Sequence, residues 1–348
     1  MTIAPTQASI ENICIAVPTF RRETLLASLI DTLAIEIGDA RPPRVEVTIV
    51  DNDPHGSARA LVLGRREQFP VNLHYALVPE PGLSVVRNFA LQFALSRGFD
   101  TLVMIDDDAR PDPGWLAELL RVARETGADA VEGVALATFE DPPPDWVVET
   151  RFFAPQPIAD RARLEEFSTA NVLIRTAVAE RYHLAFDRVL NLTGGEDQLF
   201  SRQLIARGGR VVRAAHAIVR ETVPPSRATL RYLLLRNMRY GNCWVIGNAG
   251  VVRPGLRRVA YHLKDAGTAL AGGLFALPAL TARHGRGGAA RAAFRMARGV
   301  GVLLGICGVK VLEYGRPGES PEAAPATLEL DQRACADGLE AEAPNLTP

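Results

Sequence analysis

The sequence predicts an α/β fold: a mostly parallel, doubly wound sheet with helices on both faces, followed by a C-terminal helical segment. Three observations carry this. Short apolar runs of strand length alternate with segments whose apolar residues recur at helical spacing; carboxylate clusters stand at the ends of such elements; and 348 residues suffice for a substantial core.

The elements follow in order. NICIAVP (12–18) is an apolar strand, and Arg22–Ile37 follows with Leu25, Leu26, Leu29, Ile30 and Leu33 on one helical face. VEVTIVD (45–51) is a second strand. LHYALVP (73–79) is a third, running into the helical LSVVRNFALQFALSRG, and TLVMID (101–106) is a fourth, running into GWLAELLRVARETG. A strand at ADAVEGVAL (128–136) comes next. Strands buried on both faces and joined through helices imply parallel crossovers, because each connection must travel back over the sheet. From Thr138 to about Arg163 the prolines at 142, 143, 144, 155 and 157 break regular structure, as in a long excursion or a loop over a site. Order resumes at FSTANVLIRTAV. The helical GGEDQLFSRQLIARGG and the strand-like RVVRAAHAIVRET follow, then a helix from about Ser226, its expected N-cap behind Pro224-Pro225, to Ile246. Residues 256–281 and 288–314 read as two further helices, the second with Gly301, Gly305 and Gly308 on faces open to close approach by another helix.

Charge divides the chain differently from its sum. The formal net charge is -1, with 39 basic and 40 acidic groups, yet residues 1–250 carry -4, residues 251–316 carry +9 and residues 317–348 carry -6. These values predict a disordered N-terminus over 1–11, an α/β domain over 12–250, a basic apolar helical segment over 251–316 and a disordered acidic tail over 317–348. Only Lys264 and Lys310 are lysines among the basic residues; the arginine bias runs through the whole chain, is compositional, and does not point to nucleic acid. The four cysteines, Cys14, Cys243, Cys307 and Cys335, have neither disulfide-framework nor zinc-site spacing, which fits a reducing compartment. No basic segment followed by an apolar stretch opens the chain, so no secretory signal is expected and the substrates are met on the cytoplasmic side. The uncharged run at 266–282 is 17 residues and includes Pro278, short of a confident membrane span.

Chemistry concentrates in two places. Asp106-Asp107-Asp108 stands directly after the strand TLVMI, at the edge where open α/β sheets bind ligands, and three adjacent carboxylates are costly to hold without a cation. Oxygen donors favour Mg²⁺ or Mn²⁺ shared with substrate phosphates; the plainer reading is an acidic loop capping the next helix, a role Asp112 before Pro113 also fits. Gly194-Gly195-Glu196-Asp197 opens a helix. Carboxylates there cap the helix dipole, while two glycines let a ligand approach the backbone, and a carboxylate so placed can serve as a general base.

Six segments in order, CIAVPTFRR (14–22), VTIVDND (47–53), EPGLSVVRNFAL (80–91), VMIDDDARPDPGWL (103–116), TANVLIR (169–175) and GGEDQLFSRQL (194–204), make the chain resemble the family 2 glycosyltransferases, inverting enzymes of the GT-A fold that use nucleotide-sugar donors. The resemblance covers roughly residues 12–245. It implies that Pro18, Thr19 and Arg21 line the nucleotide base, that Asp51 bonds the base or ribose, and that Arg87 faces the donor's diphosphate or sugar. It also implies that Asp106 and Asp108 are the two acids of the D-x-D motif, with Asp107 between them on the donor side and Asp108 on the metal. Asp197 matches the catalytic base, with Glu196 beside it orienting the acceptor.

The Q-x-x-R-W motif of processive relatives is absent. The helix RATLRYLLLRNMRYGN (227–242) instead resembles succinoglycan-type exopolysaccharide enzymes, which implies a UDP-hexose donor, a lipid-linked oligosaccharide or other saccharide acceptor, and a peripheral position on the inner face of the cytoplasmic membrane. Arg227, Arg236 and Arg239 are then candidates for phosphate, His216 packs in the fold rather than completing a metal shell, and the basic segment 251–316 lies against the membrane surface. Two other readings stand beside this one. A metal-dependent nucleotidyltransferase also needs the acidic cluster but leaves GGED unexplained, and a non-catalytic membrane scaffold leaves both carboxylate sites unexplained.

Overall fold

The structure is a computed structural model that describes residues 10–40, 44–248 and 256–312. In chain order the elements are β1 (Asn12–Thr19), α1 (Glu23–Ala40), β2 (Arg44–Asp51), α2 (Arg59–Arg65), β3 (Asn72–Leu77), α3 (Leu83–Ser96), β4 (Thr101–Ile105), β5 (Ala109–Pro111), α4 (Trp115–Thr126), β6 (Ala130–Phe139), α5 (Asp145–Thr150), β7 (Asn171–Arg175), α6 (Thr176–Tyr182), α7 (Glu196–Ala206), β8 (Val211–Val223), α8 (Leu230–Gly247) and α9 (Leu256–Ile306).

The strands form one eight-stranded sheet in the order β3-β2-β1-β4-β7-β6-β8-β5. β1 pairs in parallel with both β2 and β4, so the chain steps outward to β3 and then returns across β1, which creates a crevice at the C-terminal ends of β1 and β4. β7 runs antiparallel between β4 and β6, and β5 runs antiparallel on β8; the sheet is therefore mostly parallel with two reversals that apolar content alone does not reveal. Side chains on alternate faces of the sheet enter separate cores. Leu26, Leu29, Ile30 and Leu33 of α1 and Trp115, Leu116 and Leu119 of α4 cover one face; Val86, Ala90 and Phe93 of α3 with Phe200 and Leu204 of α7 cover the other.

Two short-range devices shape the far half of the sheet. The register of β6 on β8 slips between Glu132 and Val134, and Asn171 of β7 fills the irregularity: its amide donates to Ala217 O (2.9 Å) and Val134 O (3.2 Å) and its oxygen accepts Trp115 Nε1–H (2.8 Å). A Cβ at residue 133 would overlap that amide, so the position requires Gly133. His216 lies exposed on the same irregularity, beside Glu118 of α4.

Several boundaries differ from expectation. Ile10 is buried in the core and Glu11 N–H donates to Asp100 Oδ2 (2.9 Å), so the ordered body begins before residue 12. Residues 1–9, 249–255 and 313–348, with most of the expected N-terminal and tail segments, lie outside the described residues. The N-cap of α8 is Thr229, whose Oγ1 accepts Tyr232 N–H (3.3 Å), because Pro225–Arg227 forms a separate 3₁₀ turn ahead of the helix. Asp112 does not cap α4 with its side chain; it pairs with Arg220 (2.7 Å), while Glu36 of α1 accepts the Gly114 N–H.

The proline-rich excursion carries α5. Phe139, Phe152, Phe153 and Phe294 of α9 stack edge to face in one cluster, and Gly287 N–H donates to Glu149 Oε2 (3.0 Å), which seats the bend of α9 on α5. α9 is a hairpin, broken at His284 and Gly285 where the backbone leaves helical angles. Its second arm lies against α8 so closely that a Cβ at Gly301 would overlap Met238 O, and one at Gly241 would overlap Arg298 O. Gly308 does something else, ending that arm with a positive φ. Among the described residues no helix is long and apolar enough to cross a membrane.

Candidate active site

The acidic triplet is a turn pinned on both flanks. Ile105 ends β4, Ala109 begins β5 and its N–H donates to Asp106 O (3.1 Å), while Thr222 N–H from β8 donates to Asp108 O (3.0 Å). The three side chains therefore diverge. Asp107 turns inward, accepting Thr19 Oγ1–H (2.8 Å) and Arg22 Nη1–H (2.9 Å). Asp108 Oδ2 is shared by Arg22 (3.1 Å) and Arg227 (3.4 Å). Asp106 faces the crevice, its side chain 36% exposed but enclosed on most sides, with Arg87 Nη2 at 3.9 Å.

The second carboxylate site is set by loop chemistry. Gly194 and Gly195 both have positive φ, and Gly195 occupies the N-cap position of α7, against Cys243 of α8. The preceding loop is stitched to the turn before α3: Asn191 Nδ2 donates to Pro81 O (2.6 Å), and Asn52 Nδ2 donates to Glu80 O (2.6 Å) while its Oδ1 accepts Gly82 N–H (2.9 Å). Glu196 consequently points back to α3 and pairs with Arg87, with only 1% of its side chain exposed. Asp197 points the other way, Oδ1 accepting Gln198 N–H (2.8 Å) and Oδ2 accepting Thr169 N–H (3.4 Å), and remains half-buried at the crevice.

Charge ties the two sites together. Burial pushes the Asp106 carboxyl up to about 6 against the pull of Arg87, and the neighbouring charges of Asp108, Asp107 and Asp197 add to the rise. Glu221 on β8 is pushed up to about 7 by burial and by Asp106 and Asp108, with Arg236 and Arg227 opposing. Burial thus acts first on both groups, and the neighbouring carboxylates add to it while Arg87, Arg227 and Arg236 oppose.

The donor-side residues separate on inspection. Arg21, at φ 54, pairs with buried Asp53 (3.3 Å); against the burial that would raise it, this contact holds the Asp53 carboxyl below its usual range. Asp51 is 0% exposed: Oδ1 accepts Asp53 N–H (2.9 Å) and Oδ2 accepts Ala58 N–H (2.9 Å) and Tyr75 Oη–H (3.0 Å). These bonds from the following loop and from Tyr75 of β3 fix the carboxylate at the end of β2, the place from which the resemblance has it bond the base or ribose. Pro18 is buried in β1, and Thr19 is occupied with Asp107. Arg87 and Glu196 are paired with each other, and Arg87 Nη2 also lies 3.9 Å from Asp106. Arg22, Arg227 and Glu221 complete the centre. Of these, only Arg227 stands out in sequence, and then only as one candidate among the phosphate arginines.

Among the described residues no cluster of three or more His, Cys, Asp or Glu has the geometry to hold a metal alone. Asp108 nonetheless offers the carboxylate oxygen that a hard divalent ion shared with a substrate's phosphates takes.

The family model of glycosyl transferase family 2 matches residues 14–182. The succinoglycan biosynthesis protein ExoM of Rhizobium meliloti (strain 1021) is 32% identical over 305 residues, covering 87% of this chain and 96% of that protein. Among solved structures, the mannosyltransferase PcManGT from Pyrobaculum calidifontis, in complex with GDP-Man and Mn²⁺, is similar with a TM-score of 0.56 and 22% identity over 87% of this chain and 90% of that one. That likeness fixes the fold as GT-A, and with the sequence match over nearly the whole chain it settles the family: the protein is a glycosyltransferase of family 2.

Proposed function

We propose that the enzyme transfers a hexose from a UDP-sugar, with inversion, to a hydroxyl of a lipid-linked oligosaccharide or other saccharide acceptor in the synthesis of a bacterial cell-surface polysaccharide. The observation that carries this reading is that Arg87 links the two carboxylate sites: its Nη2 lies 3.9 Å from Asp106 at the end of β4, and it pairs with Glu196, next to Asp197 at the start of α7. Inverting transfer is a single displacement at the anomeric carbon, so it needs one base for the acceptor hydroxyl and stabilisation of the departing nucleoside diphosphate on the opposite side. Asp197 is the base: two backbone N–H groups fix its carboxylate and leave lone pairs free toward the crevice. Such a base contributes about 10²–10⁴-fold. Asp106 lies toward the donor, and Arg22 and Arg227 stand beside Asp108 where they meet the diphosphate. Asp108 would hold Mg²⁺ or Mn²⁺, which would supply positive charge to the leaving group. The polysaccharide role is supported by the name of the succinoglycan relative, and metal use by the Mn²⁺ of the mannosyltransferase.

The same reading places the enzyme on the inner face of the cytoplasmic membrane. The first arm of α9 exposes Leu256, Leu263, Leu274 and Phe275, the last by 81%, beside Arg257 and Lys264 and ahead of Arg283 and Arg286 at the bend. Leu274→Glu with Phe275→Glu in the full chain is expected to abolish sedimentation with anionic vesicles; retained sedimentation refutes this placement.

A donor panel tests the reaction. The enzyme is incubated with UDP-, GDP- and dTDP-sugars, Mn²⁺ and a lipid-linked oligosaccharide extract, and release of nucleoside diphosphate is followed. Release from a UDP-hexose, with sugar appearing in the lipid fraction, is expected; release from another donor alone overturns the donor assignment.

A further inference from the structure

One acidic side chain interrupts the apolar run of β6. Glu132 is largely buried; its Oε2 pairs with Arg213 Nη2 of β8 at 3.0 Å, and its Oε1 accepts the N–H of Ser168 at 2.8 Å. The next N–H along the chain, that of Thr169, donates to Asp197 Oδ2. Three residues from Ser168 the chain is fixed again at Asn171, whose side chain is held by Trp115, Val134 and Ala217. Ser168 and Thr169 are therefore a short bridge with one end anchored in the sheet by Asn171 and the other by Glu132. Of the two N–H groups on Asp197, that of Gln198 belongs to the same helix and moves with it; that of Thr169 alone ties the carboxylate to the sheet.

We propose that Glu132 is a positioning residue for the base: by holding Ser168 N–H it sets where Thr169 N–H meets Asp197. The inference rests on the reading of Asp197 as the base. The groups facing Glu132 are Arg213 from β8, Glu166 from the segment before β7, and Asp197 from α7, with Arg202 of α7 beyond, close to Glu166 and Asp197. Burial pushes the Glu132 carboxyl up to about 7, with Asp197 and Glu166 adding to the rise and Arg213 opposing it. Ionised, Glu132 makes charge-assisted bonds to Ser168 N–H and Arg213; protonated, it holds both less tightly. Its hold on the bridge therefore strengthens as the pH passes 7.

The test compares wild type, Glu132→Gln, Glu132→Ala and Asp197→Asn by nucleoside diphosphate release from UDP-glucose, or from whichever donor the panel selects. Donor binding and thermal melting are measured alongside. Glu132→Gln keeps an acceptor for Ser168 N–H but no charge; it is expected to bind donor as wild type does and to lose the rise in kcat near pH 7. Asp106 and Glu221 titrate in the same range, so the difference between the two profiles is the readout rather than either profile alone. Glu132→Ala removes the acceptor and is expected to lower kcat by about 10²-fold at unchanged donor KM, the scale of a misplaced reacting group. Superimposable profiles for wild type and a folded Glu132→Gln overturn the proposal. If Arg213 without its counter-charge prevents folding, Glu132→Gln with Arg213→Gln restores a neutral hydrogen-bonding pair and is judged by the same two outcomes. Asp197→Asn that retains turnover removes the base reading; Asp197→Asn that is inactive beside an unaltered Glu132→Gln profile removes the positioning role alone.

Discussion

Arg87 of α3 and Glu196 of α7 form an ion pair closed to solvent on both sides, and it joins the helix that follows the donor-side turn to the helix that carries the candidate base. Removing one member leaves a buried charge without its partner. Arg87→Met is expected to destabilise the fold by about 3–5 kcal/mol, read from urea unfolding, whereas Arg87→Met with Glu196→Leu recovers part of the loss because no lone charge remains. A double variant no better than Arg87→Met would show that the pair is not what holds the two helices.

For the base, Asp197→Asn is expected to lower turnover by about 10²–10⁴-fold while donor affinity, followed by calorimetry, stays at the wild-type value. The amide keeps the size of the side chain and can still accept one of the two backbone N–H groups, so lost activity reports lost basicity rather than lost structure.

Metal removal tests the acidic turn. Excess EDTA is expected to abolish transfer and Mn²⁺ or Mg²⁺ to restore it, and Asp108→Asn is expected to resist restoration at the metal concentration that rescues the wild type. Full activity in EDTA would remove the ion from the mechanism.

Stability at low pH turns on Glu46 of β2. Burial alone would raise its carboxyl, but His74 (2.8 Å), Arg44 (2.8 Å) and Arg97 (3.4 Å) surround it and hold it at about 2. Its folded value lies below the unfolded value of 4.5, so its contribution is complete above that value and is lost as the pH falls toward 2. Glu46→Gln is expected to be less stable than wild type by about 1–3 kcal/mol at pH 6, and the two unfolding curves are expected to converge near pH 2.

The contact between α8 and the second arm of α9 has no spare volume at Gly301. Gly301→Ala forces the helices apart and is expected to cost about 1–3 kcal/mol, visible as a lower melting temperature, while Gly267→Ala on the first arm, where the space is open, is expected to be neutral or slightly stabilising.

Much of this architecture is legible in the residues. β1 and β4 read as strands because apolar residues dominate runs covered on both faces, and the acidic turn and GGED stand out because like charges seldom cluster without a purpose. What is not legible depends on long-range geometry. β5 is three residues containing an arginine and a proline, and it becomes a strand only because β8 supplies a partner. The reversal of β7 leaves no trace in NVLIR, which reads the same in either direction. Arg22 lies inside CIAVPTFRR, yet nothing local shows that it turns toward Asp107 and Asp108 while Arg21 turns toward Asp53. Asp51 looks like a ligand residue because it ends a strand, and its three internal donors become visible only once β3 and α2 are in place. Glu132 carries a signal of another kind, a carboxylate within an apolar strand.

Arg22, near the start of the chain, and Arg227, far along it, grip the same oxygen of Asp108, and the turn that bears it leads into the edge strand β5, whose partner is β8. During synthesis the N-terminal portion emerges first. A nascent polypeptide that has reached only β7 holds β1 and β4 but lacks one of the two guanidinium groups, the strand that pairs β5, and Asp197. The grip on Asp108 is therefore completed late in synthesis, only after β8 and Arg227 have emerged behind the sheet's central strands.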